Sequence, residues 1–174
     1  MAMIDALLTE LEQESLTTRR VLERVPQAHL AWKPHPKSMS LGQLALHIAT
    51  VPGNVAELAT LDTIPEPPAF VQPEAATAAE LVPALAASVA KARQHLGGFD
   101  DAAMSATWTL MSGGREIMAM PRVAFVRAIM LNHWYHHRGQ LLVYLRMLGV
   151  PVPSVYGPTA DENPFAEMSA GGAR

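Results

Sequence analysis

Cysteine is missing from the 174-residue chain, so disulfides, thiolate metal ligands and thiol nucleophiles are excluded. Any metal must be held by His, Asp or Glu. Charge is scarce: 17% of the residues are Asp, Glu, Lys or Arg, and 13 basic against 16 acidic residues leave a net charge of −3. No basic run offers a stripe for a phosphate backbone, which argues against direct nucleic-acid binding. The opening segment MAMIDALLTELEQES lacks the basic region and small-residue cleavage site of an export signal, so a cytoplasmic location is expected. Uninterrupted apolar runs are also absent. The richest stretches, residues 41–61 and 121–148, are broken by His47, Pro52, Glu57, Arg127, His133 and Arg138, and neither reads as a membrane span.

What the chain does have is apolar residues in helical period. At 49% hydrophobic, its length suits one domain with its own core, read as a single helical-bundle domain over residues 1–174. A first helix over residues 2–25 places Ile4, Leu8, Leu11, Thr18, Leu22 and Val25 on one stripe before Pro26 stops it. A linker over residues 25–40 holds Pro34, Pro36 and Trp32, the last expected to anchor it by burial. Ser40 and Gln43 form a capping box that opens a second helix running to about Thr60. Pro52, inside that helix, removes the amide partner of the Ile48 carbonyl and predicts a kink one turn beyond His47.

A proline-rich loop follows at residues 62–76. Thr77 and Glu80 cap a third helix, with Leu81, Leu85, Val89, Ala92 and Leu96 inward, a kink at Pro83, and an end at Gly97-Gly98. Around Ser112-Gly113-Gly114, residues 107–120 read as a short β-hairpin or extended loop. A fourth helix starts at Pro121 and runs to about Leu148, ended by Gly149, Pro151 and Pro153. Residues 158–174 are expected to be loose, with the tail proper from about residue 163. These elements predict an all-α fold, an antiparallel four-helix bundle with that hairpin or loop before the last helix.

Along the fourth helix, Val126, Met130, His133, His137, Gln140, Tyr144 and Met147 step by four and three, the spacing of a core seam. Two imidazoles are therefore expected at core positions, where unsatisfied nitrogens cost about 1–3 kcal/mol each and strong partners are needed. Side chains four apart share a helix face, so His133 and His137 can converge on one ion. His47, on the apolar side of the second helix, is the leading third ligand. Three neutral nitrogens leave at least one position for water or substrate, the pattern of a catalytic rather than a closed site. Nickel, zinc, iron, manganese and cobalt are all left open as the ion. The bland reading is a core histidine pair satisfied by backbone carbonyls.

His136 lies off the seam and is assigned to the surface or to the surroundings of the ligands. His29, His35 and His95 are expected in solvent. Gln140 and Asn54 stand where they could reach a metal-bound water, with ordinary polar packing the simpler role. Gly139 is read as permitting close helix approach, and Arg138 as an exposed helix charge. No residue is assigned a catalytic role.

Two segments carry a family resemblance. WKPHPKSMSLGQLALHIATVPG, residues 32–53, and NHWYHHRGQLLVYLRMLGVPVPSVYGPTADE, residues 132–162, resemble the DinB (damage-inducible) superfamily of DinB/YfiT-like four-helix-bundle metalloenzymes. On that resemblance the LxxH histidine is His47 and the HxxxHRGQ pair is His133 and His137. It also implies a homodimer, a long crossover and an up-down-down-up helix order. Relatives of this kind include transferases and isomerases that use bacillithiol, mycothiol or glutathione. The implied function is a divalent-metal-dependent enzyme acting on a small molecule, an S-transferase or isomerase using a low-molecular-weight thiol. Hydrolysis is a weaker variant, and a noncatalytic dimeric metal- or ligand-binding module is the alternative.

Overall fold

The computed structural model describes residues 2–69 and 71–166. Four long helical segments enclose the core: α1 (Met3–Leu22), α2 (Leu41–Ala59), α3 (Leu81–Leu96), and a rod that begins as α5 (Arg122–Phe125), passes through a π-helical stretch (Val126–Asn132) and continues as α6 (His133–Met147). A short α4 (Asp101–Ser105) is capped by the Asp100 carboxylate, which accepts from the Ala103 amide at 2.8 Å. Each long segment touches two others, in the order α1, α3, α2, α6 and back to α1. None of the described helices is long and apolar enough to cross a membrane.

An all-α four-helix bundle is not what the chain forms. A mixed three-stranded sheet, β1 (Thr63–Ile64), β2 (Thr107–Ser112) and β3 (Arg115–Pro121), stands beside the helices. Strands β2 and β3 are the hairpin the sequence allowed; Gly113 and Gly114, with φ of 55° and 74°, make the two-residue turn that positive φ at both positions requires. The third strand was not expected. Thr63 and Ile64 leave the end of α2 and pair parallel with Thr109 and Leu110, while the Glu66 carboxylate accepts from the Gly113 amide at 2.7 Å and so caps the hairpin turn. Trp108 fixes the sheet to the core, stacking on Phe125 at 3.9 Å and donating its indole N–H to the Leu58 carbonyl at 3.1 Å.

Several local expectations hold. Ser40 and Gln43 exchange both capping bonds, Gln43 N to Ser40 Oγ at 3.1 Å and Ser40 N to Gln43 Oε1 at 2.9 Å. Two differ. Pro83 introduces no interior fault, because α3 begins at Leu81 and proline in a first turn lacks only an amide that has no helical partner there. Trp32 is half-buried, its ring edge-on to Tyr144 at 5.6 Å. Residues 167–174 of the expected tail lie outside the described residues. Within 158–162, Asp161 accepts from the Val152 amide at 2.9 Å and pairs with Arg146, and Glu162 pairs with Arg20.

The fourth helical segment departs most from expectation. In the π-helical stretch amides bond five residues back, as His133 N does to the Ala128 carbonyl. One extra residue in a turn rotates everything beyond it. The buried line accordingly runs Val126, Met130, Trp134, Arg138, Leu141 and Leu145, and not through His133, His137, Gln140 and Met147. The histidines sit half-buried on the flank of the core.

Pro52 orphans the Ile48 carbonyl as expected, and the vacancy is filled from the neighbouring helix: the buried Trp134 indole donates to Ile48 O at 2.8 Å. The Gly53 amide, next in line, finds the Ser88 hydroxyl at 2.8 Å, which itself donates to Thr50 O at 3.0 Å. A Cβ at Gly53 would stand 2.9 Å from the Ser88 carbonyl oxygen, so α3 can approach the break this closely only against glycine. Trp134→Phe keeps most of the ring volume but leaves Ile48 O unpaired, and should lower stability by about 1–3 kcal/mol in urea unfolding. A loss below about 0.5 kcal/mol, within the range of neutral substitutions, would show that the carbonyl is satisfied without the indole.

Candidate metal centre

The indole bond places residues 48 and 134 at one level, and a second cross-link, Arg122 Nε to the Ala59 carbonyl at 2.7 Å, fixes the other end. The α2 helix and the rod of α5 and α6 therefore run in opposite directions, with His47 opposite the first turns of α6. His47 Nε2 lies 3.0 Å from His133 Nε2. The ring centres of the His47–His133, His47–His137 and His133–His137 pairs are 5.3, 4.6 and 4.4 Å apart, all edge to face. One ring nitrogen from each of the three lies within 4.8 Å of the others.

This spacing suits a shared ion. Two imidazole nitrogens on one metal at about 2.0–2.1 Å, subtending roughly 90–110°, stand about 2.9–3.4 Å apart, and the 3.0 Å between His47 and His133 falls in that range. Protonation also suits it. Burial first, then the His137 and His133 imidazoles, lower the His47 pKa from 6.5 to about 4. Burial is likewise the largest cause holding His133 and His137 below the usual histidine value. All three rings are thus neutral at pH 7 and offer lone pairs.

A stability consequence follows from the same shifts. Between about 4 and 6.5 the unfolded chain binds more protons at residue 47 than the folded chain does, so stability rises with pH across that window and is lost as pH falls through it. Urea unfolding of metal-free protein from pH 7 to pH 4 should show this loss, and His47→Gln should flatten the slope. Equal slopes for the two proteins would refute the assignment.

Gln140 takes the simpler of its two expected roles, packing against polar neighbours. Its Oε1 lies 2.8 Å from His137 Nδ1 and its Nε2 lies 3.0 Å from His136 Nε2. With Oε1 accepting, His137 carries its proton on Nδ1 and keeps Nε2 free. Gln140 therefore orients a ring rather than reaching for a bound water, and exposed His136 is held by the same amide. Asn54 is exposed and faces a hollow beside Ser88 and Lys91, away from the histidines. His29 and His35 are exposed as expected, whereas His95 is half-buried. A Cβ at Gly139 would meet nothing within 4 Å among the described residues beyond its own helix, so no close helix contact there requires glycine.

Sequence reasoning missed Arg138. It is 1% exposed, pairs with the Glu14 carboxylate at 2.6 Å, donates to Thr18 Oγ1 at 3.0 Å and to Tyr156 Oη, and lies over the rings of Tyr135 and Tyr156. Tyr135 in turn donates to Glu10 at 2.8 Å, where Arg127 makes two further bonds at 2.6 and 2.7 Å. Burial and these carboxylates keep the Tyr135 phenol protonated, with its pKa raised. The network ties α1 to α6 directly behind the histidine face. The only signal in the sequence was helical period, which fails once the π-helical stretch intervenes.

A helical protein with a small mixed sheet and three imidazoles converging between two of its helices defines a class of three-histidine proteins with a candidate metal centre. The chain belongs to the DinB family, whose profile matches residues 2–166. It is 25% identical over 163 residues to the uncharacterized protein YrdA of Bacillus subtilis (strain 168), covering 91% of each chain. Among solved structures it is similar to a DinB-like protein from Bacillus cereus ATCC 10987, at 25% identity and a TM-score of 0.64 over 87% of this chain and 97% of that one. The fold is also that of the DinB-like protein YjoA from Bacillus subtilis, at 20% identity and a TM-score of 0.62, covering 84% of this chain and 96% of that one.

Proposed function

We propose that the protein is a divalent-metal-dependent enzyme acting on a small molecule, with His47, His133 and His137 as the ligands. The observation that carries this reading is the meeting of three neutral ring nitrogens within 4.8 Å, drawn from two helices 86 residues apart in sequence. Three protein ligands leave a position for substrate. The group contains no carboxylate to serve as a general base, which favours group transfer over hydrolysis.

Within that reading, the substrate class is a low-molecular-weight thiol of the bacillithiol, mycothiol or glutathione kind, and the reaction an S-transfer or isomerisation. A divalent ion held by three imidazoles supplies Lewis acidity that brings a bound thiol's pKa toward neutrality. The chain has no cysteine of its own, so the reacting sulfur must arrive with the cosubstrate. His47 and His133 present Nε2 to the site, and Gln140 holds the His137 ring in place through Nδ1. A homodimer in the cytoplasm completes the proposal.

The test is metal analysis of untagged protein, followed by thermal-shift titration of the loaded form with each of the three thiols. One ion per chain and a rise in melting temperature with one thiol are expected. Metal-free protein under equal chelator exposure would instead support a noncatalytic binding module, in which the 3.0 Å contact is an imidazole–imidazole hydrogen bond. Bound metal with no response to any thiol would remove the thiol assignment.

A further inference from the structure

Beside the sheet, a hollow of about 260 Å³ opens between α2, the hairpin and the start of the π-helical stretch, with Leu58, Trp108, Met118, Phe125 and Ile129 among its walls. Its described lining exposes no polar surface. Two other hollows of similar size differ in this respect: the one at the end of α1 carries Glu23, and the one at the Pro52 break carries Thr50, Ser88 and Lys91. A dry apolar cavity of about 150 Å³ accommodates benzene, so the larger hollow has room for a ring or a branched chain.

Its position matters as much as its lining. Leu58 is eleven residues beyond His47, three turns along α2, which returns it to within about 20° of the same face and about 16 Å further on. Ile129 is four residues before His133 in the facing rod, within one turn of the π-helical stretch and roughly 5 Å away along it. The hollow and the histidines therefore occupy successive stretches of one seam between the same two helical segments. Small-molecule sites typically pair an apolar chamber with a few polar groups at one end.

We propose that the second substrate of this protein, as distinct from the thiol, is an amphiphile, its metal-binding head at the three histidines and its aryl or branched-alkyl part in the hollow bounded by Leu58, Trp108, Phe125 and Ile129; this rests on the metal-dependent reading above. Such a ligand gains affinity from each methylene or ring atom that leaves water, on the order of fourfold per CH₂. Neither half of the site alone specifies it.

The test uses alkyl hydroxamates, which present one metal-binding head with tails of increasing length, titrated into metal-loaded protein by calorimetry. Affinity should be constant for the shortest tails, rise roughly fourfold per methylene once the tail reaches Ile129, and level off when the hollow is full. Met118 is half-buried on β3 and forms part of the wall of the hollow. Met118→Arg and Met118→Trp, the first adding charge and the second bulk, should each abolish the length dependence while leaving acetohydroxamate binding unchanged. A flat series in the wild type, or a length dependence that both variants retain, overturns the proposal. Failure to load metal, read from metal content before any hydroxamate is added, overturns the metal-dependent reading and this inference with it.

Discussion

His137→Ala is expected to lower divalent-metal affinity by at least about a hundredfold while the chain remains folded. Loss of an outer-shell partner alone typically costs ten- to a hundredfold, and removing a ligand takes away the coordinate bond as well. Gln140→Ala, which deletes only the bond to Nδ1, should therefore fall in the ten- to hundredfold range and rank between wild type and His137→Ala. The His137 ring is half-buried, so its removal opens little core. Competition titration against a chromophoric chelator, with circular dichroism as the check on folding, measures both effects. Equal affinities for wild type and His137→Ala would remove the ring from the ligand set and the proposed function with it.

Arg138→Met should cost about 3–5 kcal/mol, the loss expected when one partner of a buried ion pair is deleted and the other remains. The Arg138 side chain is 2% exposed and that of Glu14 16% exposed, so the abandoned carboxylate has little water to turn to. Thr18 and Tyr156 would lose a donor at the same time. The double variant Arg138→Met, Glu14→Leu should recover much of the loss, because an apolar pair of similar volume removes the uncompensated charge. A double-mutant cycle by chemical denaturation separates the two effects. A single-variant loss under about 1 kcal/mol would mean that Glu14 reorients into solvent and the pair contributes little.

The parts of this structure that were legible in the sequence are those decided within a few residues. The Ser40–Gln43 box, the glycine turn at residues 113–114 and the orphaning of Ile48 O by Pro52 all follow from local backbone chemistry, and the structure has each. His133 and His137 meet because both lie beyond the π-helical stretch, where ordinary four-residue spacing still applies. Features decided by distant chain were not legible. Thr63 and Ile64 are too short to show a period, and they form a strand only because β2 offers an open edge. The three-stranded sheet that results, hairpin included, is why an all-α reading failed. The partner that Trp134 gives to Ile48, and the burial of Arg138, depend on how α6 is rotated against α2 and α1, which no local pattern encodes.

The rotation of the histidine face rests on a single surplus residue in one turn of the rod between Val126 and Asn132. In genetic terms that is a one-codon difference. Deleting one of these seven positions would let the rod wind as a regular α-helix, and because the wide turn already absorbs that residue, His133 and His137 would keep the face they now present. The imidazole face would thus survive loss of the surplus codon, whereas substitutions that made all seven residues wind regularly would turn both rings by about 100° toward the place now held by Trp134 and Arg138.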